Sequence, residues 1–163
     1  MIKEAIKTAV EGDNLTFETA REAMDEIMRG EATAAQIAAF LTALRMKGES
    51  IDEITACATV MRERCTKLPC TAEVIDIVGT GGDCSNTFNI STVTAFVVAA
   101  AGVPVAKHGN RSVSSKCGAA DFLEALGVSI NLTAEQSASV LRKTNMCFMF
   151  APNHHASMKY AAP

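Results

Sequence analysis

The chain has 163 residues, 48% of them hydrophobic, and a formal net charge of −3. This size and composition suffice for one sizeable core, and the acidic balance argues against a nucleic-acid-binding surface. The longest apolar stretch, around 95–101, is far shorter than the ~20 residues of a membrane helix, and no secretory signal is visible. We therefore expect a cytoplasmic protein that contacts neither nucleic acid nor membrane.

The first 70 residues predict four consecutive helices, because apolar residues recur three and four positions apart. Capping-box pairs, Thr33 with Gln36 and Ser50 with Glu53, open the third and fourth. The predicted helices lie within 2–10, 17–29, 33–48 and 50–68. This pattern indicates a small helical domain over residues 1–70.

One predicted helix face is rich in alanine, which permits close helix approach. Such a face fits contact with another subunit and packing inside the same chain equally well. The alanines are Ala34, Ala35, Ala38, Ala39 and Ala43.

After Pro69 the pattern changes to short β-branched runs that alternate with helical segments. We predict strands at 74–78, 103–106, 128–130 and 146–150. Helices are predicted at 92–101 and 116–126, and a third opens with the capping-box pair Thr133 and Gln136. Alternating strands and helices predict a parallel sheet with both faces covered, in an α/β domain over residues 71–163.

Ligands of open parallel sheets collect beyond the carboxyl ends of the strands, and the first such loop is rich in glycine. It reads Gly79-Thr80-Gly81-Gly82-Asp83 and leads through Thr87, Asn89, Ser91 and Thr92 into a helix. Glycines let backbone N–H groups approach an oxyanion, and a helix start adds oriented donors and partial positive charge. The combination favours a diphosphate ligand. Its spacing matches neither a Walker loop nor a dinucleotide turn.

The second loop gathers two lysines, an arginine and a histidine within ten residues, whereas 71–163 as a whole carries equal numbers of basic and acidic side chains. Its residues are Lys107, His108, Gly109, Asn110, Arg111, Ser112, Val113, Ser114, Ser115 and Lys116. Lys107 and Arg111 suit the screening of phosphate charge, and the serines suit hydrogen bonding to it. The alternative is a solvated basic loop, which Gly109 and the serines disfavour.

The third loop reads Ala151-Pro152-Asn153-His154-His155. Adjacent histidines do not easily face one metal ion. Stacking or hydrogen bonding to an organic substrate is the favoured function, with ordinary loop histidines as the alternative.

Six cysteines occur without a Cys-x-x-Cys pair or zinc-ligand spacing, so we expect free thiols rather than disulfides or a structural metal. They are Cys57, Cys65, Cys70, Cys84, Cys117 and Cys147. Cys84 and Cys117 fall in the ligand loops. A nucleophilic function for either competes with a small tolerated side chain, which is favoured because no general base accompanies them.

With these loops the sequence resembles the anthranilate phosphoribosyltransferase family, and the resemblance covers essentially the whole chain. The matching stretches are Gly-Thr-Gly-Gly-Asp (79–83), Asn-Ile-Ser-Thr (89–92), Lys-His-Gly-Asn-Arg-Ser-Val-Ser-Ser (107–115), Ala-Asp-Phe-Leu-Glu-Ala-Leu-Gly-Val (120–128) and Phe-Ala-Pro-Asn-His-His (150–155). The resemblance implies a helical domain that forms a homodimer, followed by the first part of a parallel-sheet α/β domain of the anthranilate phosphoribosyltransferase and nucleoside phosphorylase type.

The resemblance also implies site residues. Asn110 and His154 would face anthranilate, Gly79 would lie near both substrates, and Ser91 would also touch Mg²⁺. Phosphoribosyl pyrophosphate would be held by Gly79, Gly82, Asp83, Thr87, Asn89, Ile90, Ser91, Thr92, the 107–115 loop and Ala119.

The implied reaction is displacement of pyrophosphate from ribose C1 by the anthranilate amine, a step of tryptophan biosynthesis that needs no protein nucleophile. Lys107 would stabilise charge on the leaving pyrophosphate. Two departures stand out: Ala119 replaces the family's usual serine, and the family's chain continues beyond Pro163. We therefore expect the N-terminal half of such an enzyme, a truncated form with impaired activity.

Two alternatives belong to other classes. A pyrimidine nucleoside phosphorylase shares the architecture, but the 107–115 loop and the 153–155 stretch argue against it. A non-catalytic dimerisation or complementation module would work only with a separate C-terminal partner.

Overall fold

The computed structural model describes residues 1–79, 87–112 and 117–161. The chain divides into two compact units. One comprises Met1–Cys65 with a C-terminal segment that begins at His155, and the other comprises Thr66–His154.

The first unit is helical, as the sequence predicts. Each of α2, α3 and α4 begins after a hydroxyl side chain that accepts the N–H three residues on, and the predicted capping boxes of α3 and α4 are both confirmed. Gly48 ends α3 at a φ of 86°, a conformation that favours glycine. The elements are α1 (Ile2–Val10), α2 (Phe17–Met28), α3 (Ala34–Lys47), α4 (Ile51–Arg64) and a 3₁₀ turn (Ala156–Tyr160).

Alanine and large apolar side chains interlock in one core of this unit, around Phe40 and Ile27. Of the alanine-rich set only Ala43 is buried, whereas Ala34, Ala35, Ala38 and Ala39 are exposed. Four of the five alanines therefore do not pack inside the chain.

A buried carboxylate joins three parts of the same unit. Glu53 is 1% exposed and accepts hydrogen bonds from the N–H of Leu15 at 2.8 Å, the N–H of Ser50 at 2.7 Å and Nζ of Lys47 at 2.9 Å. Burial by itself would raise the pKa of Glu53, but these donors outweigh it and hold the pKa below its ordinary value.

The second unit carries a parallel sheet, which confirms the predicted α/β architecture. Strands β1 and β2 pair in parallel from Val105 with Met146 to Gly109 with Phe150. Ile75 adds a single parallel bridge to Val105. The elements are α5 (Ile90–Ala100), β1 (Val105–Gly109), α6 (Ala119–Ala125), α7 (Ala134–Thr144), β2 (Met146–Phe150) and α8 (Ala151–His154).

Two predicted strands differ from the structure. Within 74–78 only Ile75 pairs, through one bridge, and Val78 is 55% exposed. The 128–130 run forms no strand either, and Ile130 is buried instead by packing against Leu123 and Phe148. A β-branched run becomes a strand only where a neighbouring strand receives its hydrogen bonds, which local sequence does not reveal.

Other boundaries shift by one to four residues. Helix α6 begins at Ala119 rather than Lys116, and β1 extends to Gly109 rather than ending at 106. The prediction of a third ligand loop is also wrong in part, because Ala151–His154 forms the short helix α8. In the described part of the chain Cys57, Cys70, Cys117 and Cys147 are free thiols. No helix there is both long and apolar enough to cross a membrane.

Candidate functional site

The carboxyl edge of the sheet brings the ligand loops together. Because β1 and β2 are parallel and in register at Gly109 and Phe150, the chain leaves both strands at one edge. Ile75, four residues before Gly79, forms a parallel bridge to Val105 of β1. This edge is where open parallel sheets bind ligands.

The start of α5 contributes the first wall. Oδ1 of Asn89 accepts the N–H of Thr92 at 3.1 Å, and Nδ2 of Asn89 donates to the carbonyl oxygen of Cys117 at 3.4 Å. Thr92 is fully buried, and its Oγ1 has no hydrogen-bond partner among residues 1–79, 87–112 and 117–161. The capped start of α5, with its partial positive charge, therefore lies beside the segment that enters α6.

Lys107 supplies a buried positive charge at this edge. The side chain is 1% exposed, and Nζ donates to the carbonyl oxygens of Ile77 at 2.7 Å and His108 at 3.3 Å. Burial lowers the pKa of Lys107, and the negative charge of Asp76 partly opposes this effect. The same Asp76 accepts the N–H of His108 at 3.1 Å. The ammonium is thus held against the backbone that leads to Gly79.

Asn110 begins the loop after β1 and is exposed. Its Oδ1 accepts the N–H of Arg111 at 2.8 Å, and its carbonyl oxygen accepts the N–H of Ala120 at 3.2 Å. The side chain is therefore oriented by its own loop, while the backbone is tied to α6.

Arg111 points to acidic side chains of α6. Nη1 donates to Asp121 Oδ1 at 3.0 Å and to Glu124 Oε2 at 2.6 Å, and Nη2 donates to Glu124 Oε1 at 3.0 Å. The guanidinium carbon lies 5.8 Å from the ring centroid of Phe150. Glu124 and Asp121 raise the pKa of Arg111 above its ordinary value.

Two glycines permit the close approach of β1 and α6. A Cβ on Gly109 would lie 2.9 Å from Ala119 Cβ and from the ring of Phe148. A Cβ on Gly118 would overlap the backbone of Arg111 and Ser112. Steric contact, not a special backbone angle, requires glycine at both positions.

His154 is anchored at the end of α8 and is 2% exposed. Its Nδ1 lies 3.1 Å from the carbonyl oxygen of Thr66, and its own carbonyl oxygen accepts the N–H of Thr66 at 2.8 Å. Because a carbonyl oxygen only accepts, Nδ1 carries the proton of this hydrogen bond. His155 belongs to the other compact unit.

The remaining predicted residues divide into described and undescribed positions. Gly79, Thr87 and Ile90 are exposed, whereas Ser91, Ser112 and Ala119 are half-buried. Gly82, Asp83, Val113, Ser114 and Ser115 lie outside the described residues, as does Cys84. Within 1–79, 87–112 and 117–161 no three His, Cys, Asp or Glu side chains cluster as a metal site would require.

Sequence reasoning missed three acidic residues that organise this edge. Asp76 holds His108, and Asp121 with Glu124 holds Arg111. Asp76 is the one charge within a β-branched run, and Asp121 stands three residues after Gly118 at a helix start. A lone charge in a β-branched run and an acidic residue at a helix start are therefore sequence signals for carboxylates of this kind.

Two protein-family models match the chain. The model of the glycosyl transferase family, a/b domain, matches residues 71–163, and that of the family's helical bundle domain matches residues 3–65. The chain belongs to this glycosyl transferase family. Within it, the chain corresponds to the N-terminal portion of anthranilate phosphoribosyltransferases.

Individual relatives support that placement. The anthranilate phosphoribosyltransferase of Ruminiclostridium cellulolyticum is 66% identical over 163 residues, which are 100% of this chain and 48% of the relative. That of Methanobrevibacter smithii is 60% identical over 99% of this chain and 48% of the relative. The chain spans about half the length of the curated relatives it matches.

Solved structures of the same glycosyl transferase family agree with the fold. The crystal structure of anthranilate phosphoribosyltransferase from Thermus thermophilus matches with a TM-score of 0.88 and 43% identity, over 98% of this chain and 49% of that chain. The Saccharomyces cerevisiae enzyme in complex with PRPP and Mg matches with a TM-score of 0.84 and 25% identity, over 98% and 48%.

Proposed function

We propose that this chain provides the phosphoribosyl-pyrophosphate-binding half of an anthranilate phosphoribosyltransferase of tryptophan biosynthesis. The observation that carries the proposal is the arrangement at one sheet edge. There Asn89 at the start of α5 donates to the Cys117 carbonyl oxygen, Ala120 N–H donates to Asn110, and Lys107 lies buried in β1. The identity to the Ruminiclostridium cellulolyticum enzyme supports the choice of acceptor.

The proposed reaction joins the anthranilate nitrogen to ribose C1 as the C1–oxygen bond to pyrophosphate breaks. The nitrogen lone pair forms the new bond, the oxygen takes the electrons of the old one, and the nitrogen then loses a proton to solvent. The protein's task is to hold the amine in line with C1 and to stabilise the departing charge.

The proposed contacts follow from the positions of the groups. Phosphate oxygens bind at the start of α5 and accept hydrogen bonds there. The residues around this position are Thr87, Asn89, Ile90, Ser91 and Thr92. Lys107 offers positive charge and Asn110 an exposed amide. We also assign Gly79, Gly82, Asp83, the 107–115 loop and Ala119 to phosphoribosyl pyrophosphate, and Gly79, Asn110 and His154 to anthranilate.

Mg²⁺ is the cofactor we propose, and it would neutralise pyrophosphate charge when bound. This ion commonly keeps several waters and takes few protein oxygens in addition to substrate phosphates. The half-buried hydroxyl of Ser91, in the first turn of α5, fits as one such oxygen.

We propose that the helical domain, residues 1–70, forms a homodimer, and that residues 71–163 belong to the α/β domain. Apolar side chains at the end of α3 and in α4 support the first assignment. Met46 is 84% exposed, Ile51 83% and Ile54 57%. Sedimentation of the purified chain measures the oligomeric state directly.

The deciding experiment follows anthranilate fluorescence with phosphoribosyl pyrophosphate and Mg²⁺ present. The 163-residue chain is assayed alone and after mixing with the C-terminal half of the Ruminiclostridium cellulolyticum enzyme. We expect anthranilate consumption in the mixture that requires both substrates and Mg²⁺. The test variant Lys107→Met should abolish consumption. The matched control Lys143→Met, at an exposed position of α7, should not.

Two other outcomes would replace the proposal. Phosphorolysis of a pyrimidine nucleoside by the mixture, without anthranilate consumption, would identify a nucleoside phosphorylase. Dimerisation without either reaction would identify a non-catalytic module.

A further inference from the structure

Arg111 ties together three elements around the candidate site. It stands in the loop after β1, its guanidinium forms a two-pronged pair with Glu124 of α6, and the same group lies over the ring of Phe150 at the end of β2. A planar fork that pairs twice and stacks on a ring is held in one orientation.

Asp121 extends this arrangement to the backbone of the loop. Its Oδ2 accepts the N–H of Ser112 at 3.0 Å and of Gly118 at 2.9 Å, while its Oδ1 accepts from Arg111. The two N–H groups, from both ends of the segment between β1 and α6, are therefore bound to one carboxylate. Arg111 orients that carboxylate from the other side.

We propose that Arg111 is a positioning residue, which fixes Asp121 and Glu124 so that the loop after β1 keeps Asn110 and Lys107 in place for phosphoribosyl pyrophosphate. The inference rests on the proposed function and deepens it. It also replaces the sequence-based expectation that Arg111 screens phosphate charge directly, since its fork is already engaged by two carboxylates.

Charge-conserving variants separate the two functions. Glu124→Asp keeps the negative charge but shortens the side chain, so the two-pronged pair is lost while the local charge stays constant. Arg111→Lys keeps the positive charge but removes the fork. If Arg111 positions the loop, both variants weaken binding. If Arg111 binds phosphate, Glu124→Asp releases it and binding is unchanged or tighter.

The experiment measures two quantities for each variant of the 163-residue chain. Isothermal titration gives the affinity for phosphoribosyl pyrophosphate with Mg²⁺, and NMR hydrogen exchange of the Ser112 and Gly118 amides reports loop order in the ligand-free protein. We expect about fivefold weaker binding and about fivefold faster exchange in both variants, the scale of a partly exposed ion pair. Arg142→Lys, on the exposed side of α7, is the control and should change neither.

Several outcomes overturn the inference. Unchanged or tighter binding by Glu124→Asp contradicts it, as does weaker binding by Arg111→Lys with unchanged amide exchange, which would indicate direct ligand contact. If the unmodified chain does not bind phosphoribosyl pyrophosphate, the proposed function is in question, but the exchange measurement still decides whether Arg111 orders the loop.

Discussion

Nζ of Lys107 lies 2.7 Å from the carbonyl oxygen of Ile77. The ammonium of this β1 residue is therefore held against the segment that leads to Gly79. This contact connects β1 to the segment before the glycine-rich loop, 30 residues earlier in the sequence. Among the described residues the buried ammonium donates to carbonyl oxygens, which leave its positive charge available to an anion.

The buried charge of Lys107 predicts a pH dependence of stability. Its pKa is lowered from the ordinary 10.5, so the unfolded chain binds more protons than the folded chain just below that value. The free energy of unfolding should therefore rise with pH in that window, by at most about 1.4 kcal/mol per pH unit, relative to Lys107→Met. Urea titrations of both proteins from pH 7 to 10.5 measure this difference. Parallel pH profiles would contradict the prediction.

Glu53 predicts a pH dependence of the same sign in the acid range. Because its pKa is lowered from 4.5, it stabilises the fold above that value, and the contribution is lost as the pH falls through the folded pKa. Glu53→Gln should lower the free energy of unfolding at pH 7 by about 3 kcal/mol, since it leaves the buried ammonium of Lys47 without its counter-charge.

The matched control for Glu53 is Glu63→Gln, which removes an exposed partner of Arg21. Such surface pairs contribute at most about 1 kcal/mol. Equal losses in the two variants, measured by urea unfolding at pH 7, would show that the buried network of Glu53 has no special weight.

The sequence predicted those features best that depend on residues close together in the chain. The capping boxes at Thr33 and Ser50 depend on residues three apart, and both are confirmed. The strand predicted at 74–78 did not form beyond Ile75, because its pairing depends on β1, about 30 residues away in the chain. At the site, the sequence predicted functions for motif residues such as Asn89 and Lys107. It predicted none for Asp121, although this residue lies in the matching 120–128 stretch, because its partners Ser112 and Gly118 are brought together only by the fold.

His154 predicts a contribution to stability that is separate from any contact with anthranilate. Replacing it by leucine removes the ring donor of the partly buried hydrogen bond to the Thr66 carbonyl oxygen, which should cost about 1 kcal/mol. His154→Asn places an amide N–H near the position of Nδ1 and should cost less. Urea unfolding compares the two variants, and equal losses would mean that the hydrogen bond contributes nothing.

Gly118→Ala should destabilise the second unit by about 2 kcal/mol, because the new methyl group would overlap the backbone of Arg111 and Ser112. Gly79→Ala is the control, since a Cβ there meets no atom within 4 Å. Thermal unfolding followed by circular dichroism measures both. A similar, small change in the two variants would show that the loop moves aside without cost.

Ala119 is the position at which the chain departs from the serine that the family resemblance implies. It is half-buried in the first turn of α6, beside Gly109 of β1. Ala119→Ser adds one hydroxyl at the proposed phosphate site, and one net hydrogen bond of about 1 kcal/mol corresponds to roughly fivefold tighter binding of phosphoribosyl pyrophosphate. Ala125→Ser, at the opposite and exposed end of the same helix, should leave the affinity unchanged. Isothermal titration distinguishes the two. Equal affinities in Ala119→Ser and the unmodified chain would place the ligand's phosphate away from the start of α6, and the loop after β1 and the start of α5 would then have to supply its donors.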